Sequence, residues 1–265
     1  MDYAAEVWST LRRLREITPL VHNITNYVAM DVSANALLAV GAAPAMVHAL
    51  EEVEDFVAIS HALVVNIGTL SPAWVKAMHR AADRAVQLRK PWVLDPVGAG
   101  ATRYRTDTAR ELAVRHPTVI RGNASEILAV AGGVEGTRGV DSAHGSDDAL
   151  ATARALGARL GCVVAVTGAV DYVTDGRRTL SVSNGHVMMT RVTALGCSAT
   201  ALTGAFLAAH PDPVFATTAA LAVIGLAGEI AARDAAGPGT LRQRLIDALY
   251  AMDEAALAGV RIAEV

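Results

Sequence analysis

Lysine is nearly missing from this chain. Lys76 and Lys90 are the only two, and arginine supplies the other 21 of the 23 basic residues. With 26 acidic residues the formal charge is −3. A Gly-x-x-x-x-Gly-Lys-[Ser/Thr] phosphate loop is absent, and too few lysines exist to supply one. A broad polyanion-binding surface is disfavoured too, because nucleic-acid affinity rests on clustered positive charge. Cysteine is equally scarce. Cys162 and Cys197 cannot form a disulfide scaffold, which points to a reducing compartment. His-Glu-x-x-His, Cys-x-x-Cys and Gly-x-Ser-x-Gly do not occur, so metalloprotease, zinc-site and serine-hydrolase readings lose their usual support. Gly98-Ala99-Gly100 runs on into Ala101-Thr102-Arg103 and is no dinucleotide fingerprint.

Only one membrane-like run exists, Val214 to Ala232. It holds Thr217, Thr218, Gly225, Gly228 and Glu229, and reads as a buried core helix. The stretch Met1 to Leu14 alternates charged and apolar residues and lacks the plan of a signal peptide. A 52% hydrophobic, 18% charged composition excludes disorder. The expectation is a soluble cytoplasmic protein forming one domain over residues 1–265.

What is present is an alternation of short apolar runs and longer helical patterns. Ala62–Asn66, Trp92–Asp95, Thr118–Arg121 and Cys162–Thr167 read as strands buried on both faces. Pro72–Arg89, Thr106–Arg115 and Asp147–Leu160 read as helices between them, with Ser71-Pro72 a good helix start. This pattern implies an α/β protein with a mostly parallel sheet. Beyond Thr167 the runs shorten. Val170–Thr174, Arg178–Val182 and His186–Val192, separated by Asp175-Gly176 and Asn184-Gly185, predict antiparallel edge strands. Cys197–Ala209, Val214–Arg233 and Thr240–Ala258 predict three closing helices. The glycine-rich stretch from Gly132 to Asp148 is expected to join two halves of one sheet.

Four predicted parallel strands end in polar or glycine residues: Asn66-Ile67-Gly68, Asp95-Pro96-Val97-Gly98, Arg121-Gly122-Asn123 and Thr167-Gly168. One such end is ordinary loop chemistry; four together place a site beyond the carboxyl ends of the strands. The strongest local feature is Thr193-Ala194-Leu195-Gly196-Cys197-Ser198-Ala199-Thr200, a small-residue turn leading into an Ala-rich helix. Unpaired N–H groups and the helix dipole make such a turn an anion site. Cys197 stands at that helix start, where a thiol tends toward thiolate, as a base or a nucleophile. A small cysteine at a helix start accounts for the spacing equally well. Cys162 lies within an apolar run and reads as core. Asn123 and Glu126 are spaced as a capping box. Asp95 and Glu126, at neighbouring strand ends, also suit Mg²⁺ shared with substrate phosphates. His22 reads as a partly buried polar residue, and His48, His61, His79 and His116 as surface or packing residues. Met46 is core by default, though methionine also lines apolar pockets.

Taken together, His22-Asn23-Ile24-Thr25-Asn26, Asn66 to Leu70, Asp95 to Thr102, Arg121 to Glu126 and the Gly196-Cys197 turn resemble the hydroxyethylthiazole kinases of the ribokinase-like superfamily. The resemblance runs from about Leu20 to Gly239. It implies a three-layer α/β/α sandwich, ATP with Mg²⁺, and a homotrimer with active sites at subunit interfaces. It also implies phosphorylation of 4-methyl-5-(2-hydroxyethyl)thiazole, a salvage step toward thiamine. By position, Arg121, Thr167 and Asn123 would serve ATP, and Asp95 and Glu126 the metal and phosphate. Asn26, Val28, Met46 and Ala194 would lie at the thiazole alcohol. Gly196 and Cys197 would form the catalytic turn, with Cys197 taking the hydroxyl proton. Such kinases usually carry glycine where this chain has Ala194, a costly exchange if the position needs positive φ. Three rivals are a cysteine-nucleophile hydrolase or transferase, a non-catalytic binder of nucleotide or thiamine precursor, and the pyrimidine-precursor kinase of the same pathway.

Overall fold

A computed structural model describes residues 2–132 and 146–265. The linker expectation for Gly132 to Asp148 falls almost wholly outside the described residues. One sheet has the strand order β2-β1-β3-β4-β5-β6-β7-β8-β9. The strands are β1 (Leu20–Ile24), β2 (Ala43–Met46), β3 (Ala62–Asn66), β4 (Trp92–Asp95), β5 (Val119–Asn123), β6 (Val163–Thr167), β7 (Asp171–Thr174), β8 (Thr179–Val182) and β9 (Ile262–Glu264). The first six run parallel, and β7, β8 and β9 each pair antiparallel.

Every residue of β3 and β4 is buried, as expected for strands covered on both faces. One face carries α1 (Tyr3–Ile17), α2 (Met30–Val40), α8 (Leu195–Ala209), α9 (Pro213–Ala232) and α10 (Pro238–Ala251). The other carries α3 (Val53–Ile59), α4 (Pro72–Gln87), α5 (Arg103–Ala113), α6 (Ala124–Ala131) and α7 (Ser146–Leu160). Two apolar cores therefore sandwich the sheet, giving the expected three layers. Helix α9 is long and apolar enough to cross a membrane, yet 89% of its most apolar window is buried inside the protein. It is the core helix that its threonines and glutamate suggest.

Helix starts follow local chemistry. Ser71 accepts from the N–H of Trp74 and Pro72 opens α4; Thr102 caps α5 and Asp212 caps α9. At the β7–β8 turn, Asp175 Oδ1 accepts from the N–H groups of Arg177 and Arg178, with Gly176 at φ +88°.

Two expectations fail near the sheet edge. His186–Val192 forms no strand but a 3₁₀ turn, Val187–Arg191, capped by His186. The free edge of β8 is taken instead by the three-residue β9. Met188, Met189 and Val192 turn inward against the α9-side core, which a strand's alternation would not allow. The predicted helix Thr240–Ala258 is also two, because it breaks at Met252 and Asp253 caps a second short helix, α11 (Glu254–Leu257).

His22 is wholly buried rather than partly so. Its Nε2 donates to the Val47 carbonyl at 2.7 Å, and burial lowers its pKa to about 4. Unfolded, the imidazole titrates near 6.5. Between pH 6.5 and 4 the unfolded chain therefore takes up a proton that the folded chain refuses. His22 thus contributes stability above pH 6.5 that is lost as pH falls. Asp95 and Asp171, both raised to about 6, act oppositely in that window. A His22→Gln variant should isolate the histidine. Between pH 6.5 and 4.5 it should lose about 2 kcal/mol less than the parent in denaturant unfolding. Parallel stability curves would show that His22 protonates equally in both states.

Candidate active site

The carboxyl ends of β1, β3, β4, β5 and β6 converge on the amino end of α8. Ala194 precedes helix α8 as its N-cap residue, and no side-chain cap bonds the first N–H groups. Those donors are left for a ligand. Ala194 sits in the left-handed region, φ 65° and ψ 3°, so the departure from glycine carries the expected steric cost. Ala194→Gly should stabilise the fold by about 0.5–1 kcal/mol, since strain relief exceeds the added chain entropy. A loss of stability in thermal unfolding would contradict the left-handed turn.

Beside this helix start lies Arg121. Its Nη2 donates to Thr167 Oγ1 at 3.0 Å, and Thr167 Oγ1 donates to the Gly122 carbonyl at 3.2 Å. Its Nε is buried without a hydrogen-bond partner among the described residues. Gly196 lets the guanidinium come this close, because a Cβ there would stand 3.0 Å from Arg121 Nη1. Arg121, Thr167, Asp171 and Gly196 line a 650 Å³ cavity together with the apolar Met189, Leu221 and Ile224. A cavity of this size and lining suits a nucleotide-sized ligand. Asp171 Oδ1 accepts from the Gly168 N–H at 2.9 Å, and burial raises the carboxyl to about 6 against the pull of Arg121.

A second polar group lies at the ends of β3 and β4. Asp95 is 1% exposed. Its Oδ2 accepts from Asn66 Nδ2 and Thr200 Oγ1, both at 2.7 Å, while Oδ1 is buried without a partner among the described residues. Burial first, then the nearby Glu126 charge, raises its pKa to about 6; Arg121 and the two donors pull it down. Both Glu126 oxygens are engaged, Oε1 by the Gly98 N–H and Oε2 by the Asn123 N–H, each at 2.9 Å. The capping box is complete, so Asn123 spends its Oδ1 on Ser125 and on the Glu126 N–H.

Cys197 does not follow the helix-start expectation. Its pKa is raised, by burial first and then by the Asp95 charge, and these outweigh the amides of Asn26 and Asn66 and the charge of Arg121. The thiol is neutral at neutral pH rather than a thiolate. Asn26 also turns away from a free substrate-facing role. Its Oδ1 accepts from the Ala29 N–H at 3.0 Å, and its Nδ2 donates to Asn66 Oδ1 at 2.8 Å and Cys197 Sγ at 3.4 Å. Val28 is 58% exposed, and Met46 is half-buried at the end of β2. Neither lines the 650 Å³ cavity. Cys162 is buried with its thiol pushed up to about 12, as a core cysteine should be.

Sequence reading assigned no role to three contributors. Arg105 donates to the carbonyls of Ile67, Val97 and Gly68 at 2.9, 3.0 and 2.7 Å, tying the β3 and β4 loops together. Nothing in the local sequence marks it. Thr200 lies one turn into α8, and Asp171 opens an edge strand. Asn66 was visible as a polar strand end and within a stretch that carries the family resemblance, with no role of its own.

The layer order and the site at the strand ends define a ribokinase-like architecture. A pyridoxal kinase from Staphylococcus aureus in complex with ADP superposes with a TM-score of 0.64 over 94% of this chain and 99% of its own; at 15% identity, it shares the fold alone. The particular family is set by sequence: the chain belongs to the hydroxyethylthiazole kinase family, whose model matches residues 11–255. A hydroxyethylthiazole kinase from Granulibacter bethesdensis is 56% identical over 247 residues, 93% of this chain and 90% of its own. One from Cereibacter sphaeroides (strain ATCC 17029 / ATH 2.4.9) is 54% identical over 257 residues, 97% of each chain. The structure of a hydroxyethylthiazole kinase from Pyrococcus horikoshii OT3 matches with a TM-score of 0.92 at 45% identity, covering 98% of this chain and 99% of that one.

Proposed function

We propose that this chain transfers the γ-phosphoryl group of ATP to the hydroxyl of 4-methyl-5-(2-hydroxyethyl)thiazole, in salvage toward thiamine. The observation that supports this most directly is the uncapped start of α8 beside Arg121 in the wall of the nucleotide-sized cavity. Phosphoryl transfer passes through a loose transition state, so positioning and charge stabilisation do most of the work. The substrate oxygen bonds to the γ-phosphorus while the bond to the β–γ bridging oxygen breaks, releasing ADP. The N–H groups at Gly196 and Cys197 hold the migrating group, and Arg121 neutralises charge on the phosphates. Arg121 is itself held by Thr167.

The acids fit Mg²⁺ shared with substrate phosphates. Asp95 and Glu126 would hold the ion through water, since each Glu126 oxygen already accepts one N–H and the unpartnered Asp95 Oδ1 is the oxygen left to take the hydroxyl proton. No group of three His, Cys, Asp or Glu able to hold a metal occurs among the described residues, which suits an ion arriving with ATP. When bound, Mg²⁺ supplies charge neutralisation across the phosphate oxygens. Cys197 enters as a neutral thiol. Asp95, with a pKa of about 6, carries negative charge at neutral pH and is the better proton acceptor of the two.

The enzyme is expected to act in the cytoplasm as a homotrimer, with Val28 and Met46 facing the thiazole where subunits meet. The test is ADP release with the thiazole alcohol against the pyrimidine alcohol of the same pathway, each with and without Mg²⁺. Mg²⁺-dependent turnover of the thiazole alcohol supports the reading, and failure with every small alcohol overturns it.

A further inference from the structure

We propose that Asn66 is a positioning residue whose single amide orients both polar groups at the acceptor end of the site, fixing Asp95 so that Oδ1 is its only free oxygen and fixing Asn26 against Cys197 Sγ. This rests on the kinase reading for its catalytic consequence, but the geometry stands by itself. The amide orientations follow from the backbone. The Gly68 N–H donates to Asn66 Oδ1 at 3.0 Å, so Oδ1 must face Gly68 and Nδ2 must face Asp95. The Ala29 N–H likewise fixes Asn26 Oδ1, and Asn26 Nδ2 is left to reach Asn66 Oδ1 and Cys197 Sγ. Asn66 is 1% exposed and Asn26 6%, so water does not substitute for these partners at low cost.

At Asp95 the consequence is an asymmetric carboxylate. Asn66 Nδ2 and Thr200 Oγ1 both donate to Oδ2 at 2.7 Å. Oδ1 accepts nothing among the described residues although it is buried. A carboxylate free to rotate about χ2 would exchange its oxygens; two donors on one oxygen prevent that. The site therefore presents one acceptor oxygen at one place. Asn66 does this from β3 and Thr200 from α8, so the sheet and the phosphate-facing helix are also tied through Asp95.

Two variant pairs test the assignment. Asn66→Ala removes both links; Thr200→Val removes one donor to Oδ2 at nearly constant volume. Each should lower kcat about 10- to 100-fold, the usual range for outer-shell partners. KM for ATP should stay within about threefold, because neither residue lines the nucleotide cavity. Thr200→Ser keeps the hydroxyl and should recover most of the lost kcat. A folded Thr200→Val variant with kcat within about threefold of the parent, or one that changes only KM, overturns the Asp95 half. The Cys197 half is read without turnover, as the alkylation rate by iodoacetamide at fixed pH in the absence of nucleotide. Asn66→Ala should slow it several-fold, because Sγ loses amide donation that favours the thiolate, and an unchanged or faster rate in folded protein overturns that half. If Asn66→Ala does not fold, Asn26→Ser serves the same readout with the same two outcomes. Absence of thiazole turnover by the parent protein would sink the substrate reading, leaving the alkylation result to decide this one.

Discussion

Replacing Arg121 with alanine is expected to lower kcat/KM for ATP about 100- to 1,000-fold, the cost of removing one preorganised donor to developing charge. The chain has little to substitute for it. Neither Lys76 nor Lys90 lines the cavity, and among the described residues Arg121 is its only arginine or lysine. Its guanidinium is held by Thr167 at 3.0 Å and lies against Gly196, so it is aimed before substrate arrives. Asp95 and Asp171 both feel its charge as a force lowering their pKa. Arg121→Ala should therefore also move their titration upward, narrowing the activity range at its acid side. Steady-state kinetics from pH 5.5 to 8 reads both effects. Activity within about fivefold of the parent would remove Arg121 from the phosphate site.

Gly68→Ala should be the most damaging small substitution. A Cβ at Gly68 would stand 2.5 Å from Asn26 Nδ2 and 2.7 Å from Asn26 Cβ and Cγ. Something must move, and Asn26 cannot move cheaply, since its amide is bonded to Ala29, Asn66 and Cys197. The Gly68 side is held as well, by Arg105 at its carbonyl. The expected loss is about 3 kcal/mol of stability, as for overpacking at a site that cannot relax. Turnover should fall with it through displacement of Asn26. Denaturant unfolding checks the first effect and kcat the second. A variant of parental stability and rate would mean that the loop after β3 is far more pliant than its hydrogen bonds imply.

The sequence made the parallel strands legible because burial on two faces leaves continuous apolar runs; Ala62–Asn66 and Trp92–Asp95 end where the reading ends them. The β7–β8 hairpin was legible through Asp175-Gly176, whose side chain and positive φ build the turn. His186–Val192 was not, because its apolar residues serve packing against α9 rather than alternation. Strand β9, three residues at the far end of the chain, has too little pattern to show. At the site, Arg121, Thr167 and Gly196 converge as their strand-end and helix-start positions suggested. Cys197 misled because the helix-start field is a local property, whereas burial and the Asp95 charge come from elsewhere in the fold. The Thr200–Asp95 bond joins residues 105 positions apart, and no local pattern announces it. Ala194 is the reverse case. One residue's departure from glycine raised a question about φ, and the backbone answers it at +65°.

The most direct test is a crystal structure of the protein with a non-hydrolysable ATP analogue and Mg²⁺. The terminal phosphate should lie within hydrogen-bond distance of the N–H groups of Gly196 and Cys197, with Arg121 on its flank. A triphosphate bound instead at the start of α6, or directed away from α8, would contradict the assignment of α8 as the phosphoryl-holding helix.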